Sequence, residues 1–455
     1  MRKFIFKGKE ILSVGFFGLG RSNVGVMNYL SLRYPHLKFT LRQDSPIYAG
    51  GGYLTSDFSR VFIGASALSE PCEDLVFISP TVKRERLLPL FGDRITSDAE
   101  FFFEEASYPV FSITGSDGKS TTTSLSSLLL SFTGVRAPAI GNIGVAMTPM
   151  LDAGCDYAVA ELSSFQLMNL RPTSLRALIT NISPNHLDFH ESYDEYICAK
   201  ARIWEMARQC CVNLDDEISL GLVPRDKVYS AVSCELSFDE ARRLVDAEVY
   251  ITLSGSRIQR NGADVFDTEQ MRCKTAHTVK NFAAAIALTD GYTSPERIYR
   301  VGTEFSGLSH RCELVGEFLG IKYYNSSIDS TPKRTATTLA SFDGKPIVIL
   351  GGKGKGLPYD ELLPAIEEHA SAAVITGANG NDIFDALSPI GKTVPLHRAQ
   401  TFVEAVTCAI GLAKPGDSVL LSPASTSFDA FRDFSERGNK FKEIIKNYYY
   451  KGTVI

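Results

Sequence analysis

Val110-Phe-Ser-Ile-Thr-Gly-Ser-Asp-Gly-Lys-Ser-Thr-Thr-Thr123 is the stretch of sequence that decides the fold. An apolar run typical of a buried strand leads into a turn with two glycines, and Lys119, Ser120 and Thr121 then open a helical pattern. Phosphate binding needs this order, because small residues let backbone N–H groups approach an anion and a helix start adds favourable partial charge. The stretch therefore predicts a strand, a phosphate loop and a helix that together bind ATP.

The loop departs from the full G-x-x-x-x-G-K-[ST] form, because Ile113 stands at the position of its first glycine. A short run of this kind also occurs as a glycine turn with a capping serine, but the strand before it and the helix after it favour phosphate. A lysine can reach the terminal phosphates, and a hydroxyl can take a site on magnesium. The residues expected to bind ATP here are Gly115, Ser116, Asp117, Gly118, Lys119, Ser120 and Thr121.

Length, charge and hydropathy favour a cytoplasmic enzyme of several domains. The 455 residues exceed the roughly 250–300 at which a single core stops growing. A net charge of −5, from 47 basic and 52 acidic residues, argues against a nucleic-acid partner. No apolar run approaches the roughly 18 residues of a membrane span, and the start of the chain is too charged for a secretory signal. The nine cysteines are expected to be reduced.

Strand-like runs alternate with turns and helical patterns along the whole chain, which predicts an α/β fold built on mostly parallel sheets. We expect a Rossmann-like domain at residues 1–97, a central phosphate-loop domain at 98–307 and a second Rossmann-like domain at 308–455. In the first domain, Asn23 replaces the third glycine of a dinucleotide loop, and Arg42 stands where a ribose-binding acid would. A redox cofactor is therefore not expected there.

Polar residues that follow later strands are candidates for metal binding. Glu161 ends an apolar run, where a carboxylate can hold magnesium and a helix cap is the alternative. His186, Asp188 and His190 have a spacing that suggests zinc, although a solvated loop histidine explains His190 better. Lys200 lies near the middle of a predicted helix, where an exposed lysine is the ordinary interpretation. Of the histidines we expect only His186 to be functional.

Taken together, eight segments resemble, in order, those of the Mur ligases, and the resemblance covers essentially the whole chain. Two of its parts, 161–167 and 422–438, are most similar to the branch of the family that adds D-glutamate to UDP-N-acetylmuramoyl-L-alanine (UDP-MurNAc-L-Ala). The eight segments are residues 112–121, 141–144, 161–167, 181–188, 199–203, 310–313, 351–352 and 421–429.

The resemblance implies an ATP-dependent ligase of cytoplasmic peptidoglycan precursor synthesis. The γ-phosphate of ATP would go to the alanyl carboxylate, and the amine of D-glutamate would attack the acyl phosphate. The resemblance also implies two Mg²⁺ ions, with Ser120 and Glu161 as ligands of one, and His186 and Lys200 as ligands of the other. The family lysine is carbamylated, which gives it the negative charge and oxygen donors that a free ammonium lacks. The implied catalytic residues are Lys119, Glu161, His186 and Lys200.

The same resemblance implies the binding residues of each domain. The first domain would hold the UDP substrate, the second ATP and the third the amino acid. The partners are then small molecules, and we expect a monomer with no nucleic-acid or membrane partner. The implied residues are Asn281 and Arg311 for ATP, Arg21, Ser22 and Asn142 for the UDP substrate, and Ser330, Lys355, Ser427, Phe428 and Phe434 for D-glutamate.

One loop departs from the family pattern. The family's Asn-Asp-Ser-Lys-Ala-Thr-Asn reads Asn325-Ser-Ser-Ile-Asp-Ser-Thr331 in this chain. Ser326 thus replaces an acid that contacts nucleotide and Ile328 replaces a lysine, whereas Ser330 keeps a hydroxyl. Asn185 and Thr278 also differ from the residues that many members have, Asp and Asn.

These departures leave two alternatives open. One is a related amide ligase, either another Mur-type enzyme or a folylpolyglutamate-type enzyme. The other is a nucleotide-regulated binding protein that has lost catalysis, for which the missing acid at Ser326 is the best argument. An enzyme is favoured because the four implied catalytic residues, Lys119, Glu161, His186 and Lys200, and the ATP-binding Arg311 are intact.

Overall fold

The structure is a computed structural model that describes residues 3–44, 57–80, 82–184, 189–342 and 344–450. The chain divides into two compact units, Met1–Phe305 and Ser306–Ile455. The three domains predicted from the sequence stay a prediction. The α/β class is confirmed, because several mostly parallel sheets alternate with helices. Among the described residues, no helix combines the length and apolar character needed to cross a membrane.

A small parallel sheet opens the first unit. Its described strands have the order β5-β4-β3-β6-β7, and an antiparallel hairpin, β1 and β2, precedes it. Strand β6 is buried along its length, as expected for a parallel strand covered on both faces. The strands are β1 Phe4–Phe6, β2 Lys9–Ile11, β3 Ser13–Phe17, β4 Lys38–Gln43, β5 Arg60–Ile63, β6 Leu75–Ile78 and β7 Ile95–Thr96; the helices are α1 Arg21–Arg33, α2 Arg84–Phe91 and α3 Asp98–Glu105.

A buried ion pair secures this sheet. Arg42 on β4 and Glu73 are both fully buried, with 2.8 Å between Nε and Oε1. The guanidinium also donates to the carbonyl oxygens of Ala67 and Ser69. The side chain of Arg42 thus lies in the interior of the sheet domain, where it holds the chain segment before β6 in place.

The second sheet of the first unit carries the phosphate loop. Its order is β16-β15-β14-β13-β12-β11-β8-β10-β9, parallel from β9 to β14 and antiparallel beyond. Strand β8 therefore lies between β10 and β11, and the carboxyl ends of all three meet. The strands are β8 Val110–Thr114, β9 Ala139–Gly141, β10 Ala158–Glu161, β11 Arg176–Ile179, β12 Gln209–Asn213, β13 Val228–Ser233, β14 Val249–Ser254, β15 Arg257–Arg260 and β16 Ala263–Asp267. The helices are α4 Lys119–Leu130, α5 Ser164–Leu167, α6 Tyr193–Ala201, α7 Glu217–Leu222, α8 Phe238–Leu244, α9 Ala276–Thr289 and α10 Pro295–Glu304.

The described residues of the second unit form a six-stranded sheet. Its order is β17-β18-β22-β19-β20-β21, and only β17 is antiparallel to its neighbour. The loops that follow β18, β22, β19 and β20 therefore leave the same edge. The strands are β17 Glu313–Phe318, β18 Ile321–Asn325, β19 Ile347–Gly351, β20 Ala372–Thr376, β21 Leu396–Arg398 and β22 Ser418–Leu421; the helices are α11 Pro332–Ala340, α12 Leu362–His369, α13 Gly380–Leu387, α14 Phe402–Leu412 and α15 Phe434–Tyr450.

Two helices differ from the sequence prediction. The helical pattern of the sequence covers only residues 26–32, but helix α1 begins at Arg21, because an extended Gly20 serves as N-cap and polar residues occupy the first turn. Helix α6 begins at Tyr193, where the hydroxyl of Ser192 accepts a hydrogen bond from the Glu195 amide. Lys200 consequently lies in the last turn of α6 and not near the middle of a helix.

Candidate active site

Two glycines shape the loop between β8 and α4. Gly115 has φ +152° and Gly118, the N-cap of α4, has φ +76°. A Cβ on Gly115 would overlap the hydroxyl of Thr180, and a Cβ on Gly118 would overlap the amide oxygen of Asn281. The loop thus needs glycine both for its backbone conformation and because the side chains of Thr180, directly after β11, and Asn281, on α9, close on it.

Gly118→Ala is expected to raise the KM for ATP at least about tenfold, because the left-handed conformation costs an L-residue roughly 1–2 kcal/mol and the new methyl group displaces Asn281. Gly255→Ala is the matched control. Gly255 has φ +59° in the turn between β14 and β15, and a methyl group added there would have no atom within 4 Å. Steady-state kinetics and thermal unfolding of both variants separate a loss of ATP binding from a general loss of stability. A KM for ATP that is unchanged in Gly118→Ala would contradict the role of the loop.

Residues that follow β11 clamp the loop from the side. Thr180 Oγ1 donates to the carbonyl oxygen of Asp117 (2.6 Å), and the Asn181 amide group pairs with both the N–H and the C=O of Asp117 (3.0 Å each). The Ser116 hydroxyl lies 2.8 Å from the Tyr196 hydroxyl on α6. Sequence reasoning missed these roles. Thr180 and Asn181 directly follow β11, the strand adjacent to β8, and that position is the sequence signal that could have identified them.

Two lysines converge on the same loop. Lys119 Nζ donates to the carbonyl oxygens of Gly115 (2.8 Å) and Ser116 (2.9 Å), and Lys200 Nζ donates to the same Gly115 oxygen (2.6 Å). The side chain of Lys200 is only 1% exposed, so its interpretation as a surface lysine is wrong. Burial, together with the charge of Lys119, holds the pKa of Lys200 well below its usual value.

Glu161 places a buried carboxylate beside the loop. It ends β10 and is 1% exposed, and its Oε1 accepts a hydrogen bond from Asn142 Nδ2 at 2.7 Å. Its Oε2 is buried and has no hydrogen-bond partner among the described residues. A desolvated, unpaired carboxylate oxygen is costly, and a hard cation would satisfy it. The donor set of Glu161 and the Ser120 hydroxyl therefore fits magnesium, because that ion takes oxygen ligands and completes its shell with phosphate and water.

Protein side chains alone do not build a metal cage in the part of the chain that the structure describes. No group of three His, Cys, Asp or Glu residues there could hold a metal ion. His186, Asp188 and Asn185 lie outside the described residues, so the spacing that suggested zinc has no described geometry. His190 is described and buried, and its Nε2 lies 2.9 Å from the Ser164 hydroxyl. The expectation of a solvated loop histidine at His190 is therefore wrong.

Two of the residues predicted for the UDP substrate, Arg21 and Ser22, lie in the first turn of α1, and the third, Asn142, directly follows β9. The Arg21 guanidinium donates to the carbonyl oxygen of Gly144 at 3.4 Å, which brings it to the loop that carries Asn142. A Cβ on Gly25 would lie 2.5 Å from that of Ala146, so α1 approaches this loop closely. Ser22 is half-buried in the first turn of α1. Asn142 in turn contacts Glu161, which links this region to the phosphate loop.

A shallow cleft opens between the end of β6, the start of α3 and helix α5. Asp98 in its wall accepts hydrogen bonds from the backbone amides of Met147 and Thr148, and burial raises the pKa of its carboxyl. No sequence pattern pointed to this cleft, although Ser79 and Pro80 directly follow β6. It is lined by Ile78, Ser79, Pro80, Val82, Arg84, Ser97, Asp98, Ala99, Glu100, Phe165, Gln166 and Asn169.

The residues predicted for ATP fall in both units. Asn281 on α9 lies against Gly118, and its Oδ1 accepts a hydrogen bond from the Thr122 hydroxyl at 3.3 Å. Arg311 belongs to the second unit and is exposed. The neighbouring His310 has φ +64° and is held by Asn325, whose Nδ2 lies 2.9 Å from the His310 Nδ1.

In the second unit, two residues predicted for D-glutamate meet at the sheet edge. Lys355 Nζ lies 3.4 Å from the Ser330 hydroxyl. Ser427 is 2% exposed, whereas its neighbour Phe428 is 64% exposed. Phe434 begins α15, and its carbonyl oxygen accepts a hydrogen bond from the Ser327 hydroxyl at 2.8 Å. The structure thus brings Ser330 and Lys355 together, whereas Ser427 lies on the loop that follows β22 and Phe434 lies at the start of α15.

Arg437 connects these loops and was missed by sequence reasoning. It is 1% exposed and donates to the Ser327 hydroxyl (3.0 Å) and to the carbonyl oxygens of Ser425 (3.0 Å) and Thr426 (3.1 Å). No carboxylate of the described residues lies within ion-pair distance of it. Burial lowers the pKa of Arg437 to about 10, which leaves the side chain charged at neutral pH. The edge of this sheet therefore holds a buried positive charge.

Comparison with known proteins gives a consistent result. Residues 113–289 match the Mur ligase middle domain, and residues 310–425 match the family described as Mur ligase, glutamate ligase domain. A protein of Ruminiclostridium cellulolyticum named UDP-N-acetylmuramoylalanine–D-glutamate ligase is 35% identical, with 95% of this chain and 96% of that protein covered. The Clostridium novyi protein of the same name is 34% identical, with 98% of each covered.

Solved structures share the fold at lower identity. The UDP-N-acetylmuramate-alanine ligase of Thermotoga maritima gives a TM-score of 0.56 at 18% identity, covering 96% of this chain and 99% of that one. A pseudomurein peptide ligase type C from Methanothermus fervidus gives a TM-score of 0.53 at 16% identity with the same coverage.

Proposed function

Because the chain belongs to the Mur ligase family, we propose that it joins D-glutamate to UDP-N-acetylmuramoyl-L-alanine with conversion of ATP to ADP and phosphate. The observation that carries the reaction class is the convergence of the phosphate loop, two lysines and the unpartnered Glu161 oxygen at the ends of three adjacent strands. The choice of D-glutamate is supported by the relatives that carry this name. We also propose that the reaction takes place in the cytoplasm and that the protein is a monomer.

Two bond exchanges make up the reaction. An oxygen of the alanyl carboxylate forms a bond to the γ-phosphorus of ATP, and ADP leaves. The amine nitrogen of D-glutamate then bonds to the carbonyl carbon, phosphate leaves with its bonding electrons and the amine loses a proton. The first exchange brings two anions together, so positive charge at the loop is the main requirement. Lys119 and the backbone amides at the start of α4 supply it.

Ser120 and Glu161 are proposed to hold one magnesium ion, which supplies further positive charge when it is bound. The unpartnered Glu161 oxygen supports this role. Asn142 fixes the other carboxylate oxygen and so orients the ligand. His186 is proposed for the second magnesium ion on the strength of the family resemblance.

Lys200 is proposed to carry a carbamate. Its neutral amine nitrogen would bond to the carbon of CO₂ and release a proton, and the anionic carbamate so formed would offer an oxygen ligand to the second magnesium ion. The proposal is supported by the placement of Nζ beneath the phosphate loop, at the Gly115 carbonyl, in surroundings that exclude water. Burial favours the neutral amine that this reaction needs.

Substrate binding is proposed for the residues that the structure places around these groups. Arg21, Ser22 and Asn142 would hold the UDP substrate, and the cleft beside α5 would take its acyl part. Asn281, which lies at the loop, and Arg311 are both proposed to contact ATP. The D-glutamate carboxylates would take hydroxyl and ammonium donors from the second unit, namely Ser330, Lys355 and Ser427, with Phe428 and Phe434 beside them.

A panel of amino acids tests this proposal. The protein is mixed with ATP, Mg²⁺ and UDP-N-acetylmuramoyl-L-alanine, and amide product and phosphate are measured with D-glutamate, L-glutamate, glycine and diaminopimelate. Product is expected with D-glutamate and at least about 100-fold less with L-glutamate, because an inverted centre leaves buried polar groups unpaired. Efficient ligation of another amino acid would instead indicate a related ligase of the family with a different amino-acid substrate. ATP binding without any amide product would favour a binding protein without catalysis.

A further inference from the structure

A buried carboxylate lies in the loop that departs from the family pattern. Asp329 is 5% exposed, and the quoted family loop has alanine at its position. Its Oδ2 accepts hydrogen bonds from the hydroxyls of Ser422 (2.8 Å) and Thr338 (2.9 Å). No cation among the described residues forms an ion pair with it. The reaction proposed above does not use this group.

The partners of Asp329 belong to three different elements. Ser422 directly follows β22, Thr338 lies on α11, and the Asp329 amide donates to the carbonyl oxygen of Ser326 (2.9 Å) after β18. Thr335 strengthens the same junction, because its hydroxyl donates to the Ser422 carbonyl oxygen and accepts a hydrogen bond from the Ala424 amide. Asp329 therefore joins the loop after β18 to the end of β22 and to α11.

The residues on either side of this junction are those proposed for the amino acid. Ser330 follows Asp329 directly and faces Lys355, and Ser427 lies on the loop that starts at Ser422. A shift of the junction would therefore move the Ser330 hydroxyl relative to the Lys355 ammonium. Hydroxyl and ammonium groups that bind a carboxylate must hold their spacing to within a fraction of an ångström.

We propose that Asp329 is a positioning residue for amino-acid recognition, which holds Ser330 in register with Lys355 and with the loop after β22. The inference rests on the proposed function and deepens it at the amino-acid site. Burial raises the pKa of Asp329, while hydrogen bonds from Ser326, Ser422 and Thr338 oppose that rise. An amide at this position keeps an acceptor for the hydroxyl donors, whereas a methyl group keeps none.

The test compares KM values for the three substrates of the full-length enzyme. Asp329→Ala is expected to raise the KM for D-glutamate at least about tenfold and to leave the KM for ATP and for UDP-N-acetylmuramoyl-L-alanine within about twofold, because only the amino-acid donors are displaced. Asp329→Asn is expected to restore the KM for D-glutamate to within about threefold of the wild type. Ile366→Ala, in the buried core on α12, is the control for lost stability, and it should lower the Tm without a selective rise in any KM.

A second variant keeps the inference testable if Asp329→Ala does not fold. Thr338→Val removes one hydroxyl donor to Asp329 at nearly constant volume, and it should raise the KM for D-glutamate about threefold. An unchanged KM for D-glutamate in folded variants, or an equal rise for all three substrates, would overturn the positioning role. A wild-type enzyme that forms no product with D-glutamate would instead overturn the proposed function, and this inference with it.

Discussion

Lys119→Ala is expected to lower kcat/KM for product formation by about 10³-fold, because it removes the cation that would neutralise the phosphates as charge develops. The Lys119 ammonium lies at the loop in the present structure, where it donates to the Gly115 and Ser116 carbonyl oxygens. Contact with phosphate would replace these hydrogen bonds, so the lysine need move only its flexible side chain. Stopped-time assays of phosphate release and amide product measure the loss.

Lys227→Ala is the matched control for Lys119→Ala. Lys227 belongs to the same unit, and its ammonium is exposed and donates to the Glu205 carbonyl oxygen at 3.1 Å. This control should keep full activity, and both variants should keep the wild-type circular dichroism spectrum. If Lys119→Ala turned over substrate at the wild-type rate, the proposed role of the loop in phosphate binding would be wrong.

Lys200→Ala is expected to lower kcat by at least about 10³-fold, because it removes an oxygen ligand of the second magnesium ion if Lys200 carries a carbamate. The variant should still fold, because Lys119 continues to donate to the Gly115 carbonyl oxygen that both lysines share. Added acetate should restore part of the activity, since a small carboxylate can enter the space of the lost side chain. The measurement is turnover against acetate concentration.

Lys200→Arg separates a carbamate from a simple cation. Arginine keeps the positive charge but does not form a carbamate, so this variant should be as inactive as Lys200→Ala. The ¹³C NMR spectrum of wild-type protein equilibrated with ¹³C-bicarbonate should show a carbamate signal that Lys200→Arg lacks. Full turnover in Lys200→Arg, or no carbamate signal in the active wild type, would contradict the assignment.

Much of the fold could be predicted because short-range patterns encode it. The apolar run before Gly115 and the helical pattern after Gly118 place β8, the loop and α4, and polar residues such as Glu161 mark strand ends. Local patterns did not fix helix starts. The first turn of α1 reads as a loop because Arg21 and Ser22 are polar, and only the extended Gly20 shows where the helix begins.

The long-range parts of the site could not be predicted from the residues alone. Arg437 is 110 positions from Ser327, and the burial of Lys200 depends on how α6 packs beneath the phosphate loop. A lysine in a helix and an arginine near the end of the chain are ordinarily exposed, so no local signal distinguishes them. The resemblance to a family pointed to Lys200, but it gave no role to Arg437 or Asp329.

The most direct test of the central claim follows oxygen from substrate to product. UDP-N-acetylmuramoyl-L-alanine labelled with ¹⁸O in the alanyl carboxylate is incubated with ATP, Mg²⁺, D-glutamate and the wild-type protein. Mass spectrometry should then show amide product together with inorganic phosphate that carries one ¹⁸O atom, because the carboxylate oxygen leaves with the phosphate. Phosphate without the label, or ATP turnover without amide product, would contradict ligation through an acyl phosphate at this site.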